Sequence, residues 1–274
     1  MYRYGFIGMG NMGKAILKGI LKGEKAGNII FSSEKSENMK EISKKTGINE
    51  AEGADSAVRN RAVASSSEIL VLAVKPQVLP KVCTEIKDFL TEGMTVVSLA
   101  AGVSLERLAE LLGGDVKLAR VMPNTPASIG EGMTAICFGQ NGNFSEEDKE
   151  SIREMFRACG EIAEVSEKQL DVIGVTAGSS PAFTYMYIDA LADAGVKYGI
   201  KREEAQKIAA KAVMGAAAMV IQTGEHPEIL KNKVCSPGGT TIEGVEALYE
   251  WGLKNAVMKA CTACMEKNMR MSGK

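Results

Sequence analysis

The first 165 residues alternate short, continuous hydrophobic runs with segments in which hydrophobic residues recur at helical spacing. The run ILVLAV, at 69–74, is apolar at every position, which is typical of a parallel strand covered by helices on both faces. The alternation predicts a doubly wound α/β domain over 1–165 with a mostly parallel sheet. Its predicted strands are Arg3–Ile7, Asn28–Ser33, Ile69–Val74, Thr95–Leu99, Val116–Val121, Thr134–Phe138 and Ile162–Val165.

The pattern changes after about residue 165, where only the helical period remains. Hydrophobic residues from Phe183 to Ala194 fall on one face of a helix. The run 212–221 is apolar on every side, and such a helix has to be buried all round. The helices of this half are too few to enclose it alone. We therefore predict an all-helical domain over 166–274 that is covered by a second subunit.

Gly8, Gly10 and Gly13 form a GxGxxG motif between the first predicted strand and an amphipathic helix. In this context the motif is typical of a dinucleotide-binding site. The first glycine permits a tight turn, and the second lets the backbone approach a pyrophosphate. The third lets the helix pack against the strand, while the helix N-terminus attracts the phosphates. A plain strand–helix turn is the alternative, and the position of the motif favours the nucleotide.

The residues at the end of the second predicted strand favour NADP over NAD. An NAD site has an acidic residue there, which accepts a hydrogen bond from the ribose 2′-hydroxyl. Ser32 and Ser33 fill this position, and Lys35 follows shortly after, so hydroxyls and a cation suit a 2′-phosphate. Glu34 leaves NAD open if the strand extends one residue further.

Two more loops follow predicted strands whose carboxyl ends would face a bound nicotinamide. The first, LAVKP, ends in Lys75 and Pro76, and the second, SLAAGVS, contains Ala100, Ala101 and Gly102. These small residues leave space for a flat ring. A third loop, RVMPNTP, is polar and stiffened by two prolines. Ordinary strand-to-helix connections are the alternative for all three.

Composition and charge disfavour several classes of protein. The chain has 33 Lys and Arg against 34 Asp and Glu, a net charge of −1, which gives no electrostatic footprint for nucleic acid or an anionic membrane. No run of uncharged apolar residues is long enough to span a bilayer. The N-terminus becomes glycine-rich too early for the apolar core of a signal peptide. We therefore expect a cytoplasmic protein.

The six cysteines and the single histidine do not form a recognisable metal site. Scattered cysteines in a long chain without a signal indicate reduced thiols. Cys261 and Cys264 make the only CxxC pair, and they fall on an apolar stripe of helical spacing, so we predict packing in a core and no bound metal. His226 precedes a proline at a helix junction, which favours a structural role.

Seven motifs stand in the order GFIGMGNMGKAI, LAVKP, AAGVS, RVMPNTP, AGSSPAF, DALADAGVKYGI and CSPGGTTIEGVEAL. In this order they resemble the pyrroline-5-carboxylate reductase family, over about residues 4 to 265. The combination of AGSSPAF with CSPGGTT is the most specific part. The resemblance implies NAD(P)H-dependent reduction of 1-pyrroline-5-carboxylate to L-proline, the last step of proline biosynthesis. It also implies a Rossmann domain followed by a helical domain that dimerises, and family dimers often assemble into decamers.

The resemblance also implies roles for individual residues. Implied cofactor contacts are Ile7, Gly8, Met9, Gly10, Asn11, Met12, Ser33, Asn60, Ala73, Val74, Lys75, Pro76, Ala100, Ala101 and Gly102, to which the motif and the strand end add Gly13 and Lys35. Implied substrate contacts are Thr240 and Thr241 with the backbone of Gly238 and Gly239, and Thr241 would bond the ring nitrogen. The family often has Asn where this chain has Lys233, which puts a side-chain role at that position in doubt.

The segment CSPGGTT interrupts a region that is otherwise helical. Thr240 and Glu243 have the spacing of a capping box, which predicts a helix that starts just after Thr240. Gly238 and Gly239 expose backbone N–H groups, and free N–H groups at a helix N-terminus suit the carboxylate of a substrate.

Two other functions stay open at this point. One is an NAD(P)-dependent hydroxy-acid dehydrogenase of similar two-domain architecture. Such enzymes place a catalytic lysine on the long helix that begins the second domain, and residues 172–187 contain none. The other is a redox sensor that binds NADP without catalysis, although the glycines and threonines expected for a substrate are present.

Overall fold

The computed structural model of the protein describes residues 1–91, 93–113, 116–140 and 142–271. Its strands are β1 (Tyr2–Ile7), β2 (Ile29–Ser32), β3 (Asn49–Glu50), β4 (Ser67–Leu72), β5 (Thr95–Ser98), β6 (Lys117–Met122), β7 (Gly132–Phe138) and β8 (Gly160–Glu164). Its α-helices are α1 (Asn11–Ile20), α2 (Ser36–Thr46), α3 (Ser56–Ser66), α4 (Leu79–Ile86), α5 (Leu105–Leu112), α6 (Glu146–Arg157), α7 (Glu167–Thr176), α8 (Ser180–Lys197), α9 (Arg202–Thr223), α10 (Pro227–Val234), α11 (Thr240–Glu250) and α12 (Leu253–Met271).

The strands form one sheet in the order β3-β2-β1-β4-β5-β6-β7-β8. Every neighbouring pair is parallel except β6 and β7, which are antiparallel. This arrangement confirms the predicted doubly wound, mostly parallel sheet and its helical C-terminal region. The sequence did not reveal β3, because its two residues are polar and lie at the edge of the sheet.

Strand β4 shows why the hydrophobic runs are continuous. Ile69 and Val71 belong to the apolar core on the side of α1 and α6. Leu70 and Leu72 belong to the core on the other side, with α3, α4 and α5. Successive side chains of a strand point to opposite faces, so a sheet covered on both faces needs an apolar residue at every position.

Two compact units divide the chain. The first is Met1–Ser179 with the chain from Cys264 onward, and the second is Ser180–Ala263. Helix α7 lies in the first unit, where it contacts β6 and β7. The predicted boundary at 165/166 therefore differs from this division by the length of α7 and the segment that follows it.

A buried arginine side chain connects α7 to the sheet. Arg120, on β6, is 2% exposed. Its two terminal nitrogens pair with Glu167 at 2.7 Å and with Asp171 at 3.0 Å. The Glu167 carboxylate also accepts a hydrogen bond from the backbone N–H of Leu105 at the start of α5. Arg120 thus joins β6 to α7, and Glu167 extends the contact to α5.

The helical unit has few buried side chains of its own. Ala192, Ala205 and Ala209 are its buried cluster, where α8 packs against α9. The run 212–221 is largely exposed within the chain, with Met214 at 56% and Ile221 at 81%. The apolar surface of α9 is therefore left uncovered by the single subunit.

The predicted core position of Cys261 and Cys264 is wrong for the single chain. Both are only partly buried, because α12 has no fully buried residue. Among the described residues, no three His, Cys, Asp or Glu side chains are grouped to hold a metal ion. No helix in the part of the chain that the structure describes is long and apolar enough to cross a membrane.

We expect Arg120→Ala to lower the free energy of unfolding by about 3–5 kcal/mol, because it leaves two carboxylates without their buried partner. Urea unfolding of the variant measures the loss. Arg107→Ala is the matched control, because its ion pair with Glu110 is half-exposed on both sides and such pairs contribute about 0–1 kcal/mol. Equal losses in the two variants would contradict the role assigned to Arg120.

Candidate functional site

The turn after β1 is held tightly against the end of β4. Gly8 has a φ of +92°, and a Cβ at this position would lie 2.8 Å from the carbonyl oxygen of Ala73. Its N–H donates to Ser32 O at 3.0 Å. A Cβ at Gly13 would lie 3.0 Å from Gly8 O. Both glycines therefore let the N-terminus of α1 approach the edge of the sheet, as the motif predicted.

Gly10 faces open space instead. Apart from its own backbone and its two chain neighbours, no atom of the protein lies within 4 Å of the position that its Cβ would occupy. It is the N-cap residue of α1, and no side chain caps the helix. The first-turn N–H groups of Asn11 and Met12 are thus available to an anion, since helix N-termini leave such donors unpaired. These features fit the pyrophosphate of a dinucleotide.

The end of β2 is organised by Asn60 on α3. The strand ends at Ser32, whose hydroxyl donates to Asn60 Oδ1 at 2.6 Å. Asn60 Nδ2 in turn donates to the Glu85 carboxylate at 2.8 Å. Ser33 is the first residue beyond the strand and is partly exposed. Asn60, a predicted cofactor contact, is 6% exposed and holds the strand end through its internal hydrogen bonds.

The loops after β4 and β5 leave the sheet beside the turn after β1. Ala73 N donates to Ile7 O at 2.9 Å, and Leu99 N donates to Leu72 O at 3.1 Å. Gly102 has a φ of +73°, a conformation that glycine adopts without strain. Because β2, β1, β4 and β5 are adjacent and parallel, their carboxyl ends meet at one edge of the sheet. We call the loops at 7–13, 33–35, 73–76 and 100–102 the nucleotide edge.

The polar loop after β6 is anchored from both sides. Asn124 is 8% exposed. Its Nδ2 donates to Ala177 O at 3.1 Å, and its Oδ1 accepts from Met133 N at 3.0 Å. The side chain therefore joins the end of β6 to the residue after α7. Its amide nitrogen and oxygen both have hydrogen-bond partners within the protein.

Residues 238–241 form a tight turn that leads into α11, and we call them the substrate segment. Gly238 has a φ of +64°, and Gly239 N donates to Ser236 O at 3.0 Å. Gly239 is the N-cap, and no side chain caps α11. The predicted capping box of Thr240 and Glu243 is therefore wrong. The turn brings Gly239 into the extended conformation of an N-cap, so Thr240 is already the first helical residue.

The first turn of α11 consequently has no side-chain cap on its N–H groups, as an anion site would require. Thr240 and Thr241 are both exposed within the chain. The nucleotide edge lies in the first compact unit, and the substrate segment lies in the second.

Comparison with known proteins identifies the family. Residues 167–271 match a family model described as pyrroline-5-carboxylate reductase dimerisation, and residues 3–102 match one described as NADP oxidoreductase, coenzyme F420-dependent. The chain is 44% identical to the pyrroline-5-carboxylate reductase of Escherichia coli over 98% of both chains. The chain belongs to the pyrroline-5-carboxylate reductase family.

Other members of the pyrroline-5-carboxylate reductase family are similar over the same length. The Arabidopsis thaliana reductase is 37% identical over 99% of this chain and 96% of its own. The crystal structure of the Plasmodium falciparum pyrroline carboxylate reductase with NADP bound superimposes with a TM-score of 0.88. It is 32% identical and covers 99% of this chain and 98% of its own. The family resemblance and the predicted fold are thus confirmed.

Two side chains that precede the substrate segment in sequence make contacts within the chain of this family member. His226 is the N-cap of α10, where its Nδ1 accepts a hydrogen bond from Glu228 N at 3.2 Å. The Lys233 ammonium pairs with both oxygens of Glu225 at 2.6 Å. His226 therefore has the structural role that its sequence context predicted.

Sequence reasoning missed Glu85 and Asn38 at the nucleotide edge of this pyrroline-5-carboxylate reductase family member. Glu85 holds Asn60 from α4, across 25 positions of sequence. Asn38 Nδ2 donates to the Ser33 hydroxyl at 3.2 Å. No local pattern signals either contact, because each depends on how two separate elements pack.

We expect Gly10→Ala to leave the fold intact and to weaken dinucleotide binding by about tenfold or more. The added methyl meets no protein atom, but it occupies the space where the backbone would approach a pyrophosphate. Isothermal titration calorimetry with NADP⁺ measures the affinity, and thermal unfolding checks the fold. Gly23→Ala is the control, because its Cβ also meets nothing within 4 Å. Unchanged affinity in Gly10→Ala would place the pyrophosphate elsewhere.

Proposed function

We propose that this chain uses NADPH to reduce 1-pyrroline-5-carboxylate to L-proline, the last step of proline biosynthesis. The observation that carries the proposal is the 44% identity to the Escherichia coli reductase over 98% of both chains. That match includes the nucleotide edge and the substrate segment. Bound NADPH supplies the hydride that the C5 carbon of the cyclic imine accepts.

The nucleotide edge is proposed to hold NADPH through backbone groups and a short set of side chains. The N-terminus of α1 faces the pyrophosphate, with Gly10 giving the close approach. Ser33 and Lys35 bind the 2′-phosphate, where an acidic residue would repel it. The strand ends at Ser32, so Glu34 lies two residues beyond it, which favours NADPH over the alternative NADH. Asn60 supports this strand end by accepting a hydrogen bond from the Ser32 hydroxyl.

The loops at 73–76 and 100–102 are proposed to border the nicotinamide. They follow β4 and β5, the strands next to β1 on the side away from β2. Lys75 is exposed, whereas Ala100 and Gly102 are buried. A cation and a flat, small-residue wall thus lie at the side of the nucleotide edge away from the loop at 33–35, which we call its adenosine end.

The substrate segment is proposed to hold the carboxylate and the ring nitrogen of the substrate. The N–H groups of the first turn of α11 suit the carboxylate. Thr241 offers a hydroxyl that donates to or accepts from the nitrogen as its protonation changes. Within the described residues this hydroxyl has no hydrogen-bond partner. A threonine inside a helix can donate to the carbonyl oxygen four residues earlier, but for Thr241 that residue is Pro237, which lies before the helix begins. The hydroxyl therefore lacks the carbonyl partner that threonines deeper in helices use.

This reaction does not require a strong acid from the protein. A cyclic imine is basic enough to be protonated near neutral pH, so the protein has to bind and orient it. The one histidine of the chain, His226, already accepts a backbone hydrogen bond as a helix cap. Its structural role is thus compatible with the proposed chemistry.

The alternative hydroxy-acid dehydrogenase is less compatible with the second unit. In such enzymes a catalytic lysine lies near the start of the long helix of the second domain. Helix α8 has one lysine, Lys197, in its last turn. A sensor that binds NADP without turnover is the other alternative, and the exposed hydroxyl of Thr241 argues against it.

The family model gives the C-terminal helices a role in dimerisation. We propose that the dimer forms through the uncovered surface of α9 and that dimers assemble further, up to a decamer. We also propose a cytoplasmic location. The net charge of −1 supports the further proposal that the protein has no nucleic-acid or membrane partner.

NADPH oxidation is expected with 1-pyrroline-5-carboxylate and not with hydroxy or keto acids. Thr241→Val is expected to lower kcat by about tenfold or more, because it removes the partner of the ring nitrogen, while the Kd for NADPH stays within about twofold. Stopped-flow measures kcat, and equilibrium titration measures the Kd for NADPH. Thr84→Val, at an exposed helical threonine, is the control. Binding of NADPH without reduction of the imine would overturn the proposed function.

Met214→Glu is expected to convert the dimer to a monomer, because it places an unpaired charge on a surface that the partner would bury. Light scattering after size-exclusion chromatography measures the mass at micromolar concentration. Phe89→Glu introduces the same charge at a partly exposed apolar residue of the first unit and should leave the mass unchanged. An unchanged mass for Met214→Glu would exclude α9 from the interface.

A further inference from the structure

A chain of hydrogen bonds connects three separate elements at the adenosine end of the nucleotide edge. The Lys14 ammonium, on α1, donates to Asn38 Oδ1 at 3.4 Å. Asn38, on α2, donates through Nδ2 to the Ser33 hydroxyl oxygen at 3.2 Å. Ser33 follows β2 and is one of the two residues proposed for the 2′-phosphate. None of these contacts follows from the glycine motif.

The chemistry of the three groups determines which atom donates and which accepts in each of these hydrogen bonds. An ammonium has donors only, so it requires the amide oxygen of Asn38 to face it. The amide nitrogen is then left for Ser33, whose oxygen accepts its hydrogen bond. Ser33 keeps its own proton, and among the described residues it donates that proton to no partner. The hydroxyl is thus prepared to donate outward.

The backbone that carries Ser33 is held independently of Asn38. Arg59 is 8% exposed, and its guanidinium donates to Gly53 O at 3.2 Å. The same group donates to the carbonyl oxygens of Ser33 at 3.5 Å and of Glu34 at 3.3 Å. A change at Asn38 is therefore expected to alter the direction of the Ser33 hydroxyl and leave the path of the chain unchanged.

We propose that Asn38 is a positioning residue that makes the enzyme select the 2′-phosphorylated dinucleotide. It occupies the acceptor side of the Ser33 hydroxyl, so that the hydroxyl proton points to the 2′-phosphate, and it couples this hydroxyl to the Lys14 ammonium. A hydrogen bond to a charged phosphate is stronger than one between neutral groups. The inference rests on the proposed placement of the 2′-phosphate at Ser33.

Asn38→Asp tests the proposal with almost no change in shape. A carboxylate has no N–H, so it would accept the Ser33 proton and turn the lone pairs of the hydroxyl toward the phosphate. Adenosine 2′,5′-bisphosphate and 5′-AMP differ only in the 2′-phosphate, and calorimetry gives the affinity of each. We expect the bisphosphate to bind about tenfold more weakly or worse, and 5′-AMP within about twofold of the parent protein.

Two further variants separate direction from charge and from folding. Lys40→Gln lowers the net charge by the same single unit on the same helix, about 200° around its axis from Asn38. It should leave both affinities within about twofold. Asn38→Ala removes the bridge without adding charge, and its loss of bisphosphate affinity should lie between those of the other two. Thermal unfolding confirms that all three are folded.

The proposal is overturned if Asn38→Asp and Lys40→Gln weaken the bisphosphate equally, because charge alone would then explain the effect. It is also overturned if Asn38→Asp weakens both nucleotides alike, or if the parent protein does not prefer the bisphosphate. The reductase assay of the parent protein reports separately on the proposed function. If the protein binds the nucleotides as expected but does not reduce the imine, the proposed function is refuted and the role proposed for Asn38 still holds.

Discussion

The close contact between the turn after β1 and the end of β4 is the constraint on which the nucleotide edge depends. Only a residue without a side chain fits at Gly8, because its Cβ would lie 2.8 Å from Ala73 O. The contact brings the N-terminus of α1 to the carboxyl ends of the strands. It also fixes where Lys14 leaves α1, and hence where its ammonium reaches Asn38. The position of this charge thus depends on the same glycine as the proposed pyrophosphate site.

The two proposed anion sites use one physical device, and helices elsewhere in the structure show the contrast. Four helices of the first unit have their first turn capped by a side chain, namely that of Asp55, Ser104, Ser145 or Ser166. Helices α1 and α11 begin instead at Gly10 and Gly239 with no side-chain cap. A side-chain cap satisfies one of the first N–H groups of a helix; α2, α4 and α9 also lack such a cap, but they begin at Lys35, Val78 and Lys201 instead of glycine. We propose that these two helix N-termini, which begin at glycine without a side-chain cap, are the ones that bind anions.

The sequence predicted what depends on local pattern. Seven strands were recognisable because buried strands need consecutive apolar residues, and the motif placed Gly8 and Gly13 correctly. Local pattern failed where a competing turn or a distant partner determines the structure. Thr240 has the spacing of a capping box, but the turn at Gly238 moves the N-cap to Gly239. Helix α7 joins the first unit through Arg120, whose partners lie 47 and 51 positions away.

The two units differ in how far each is complete by itself. The first has a large apolar cluster on each face of the sheet, so the nucleotide edge is built on a core that the single chain supplies. The second buries little beyond the alanines between α8 and α9, and a surface of that kind is stabilised by association. The substrate segment lies in this second unit. Because these helices bury so little within the chain, we infer that subunit association influences the geometry around Thr241, whereas the geometry around Gly8 rests on the core of the first unit.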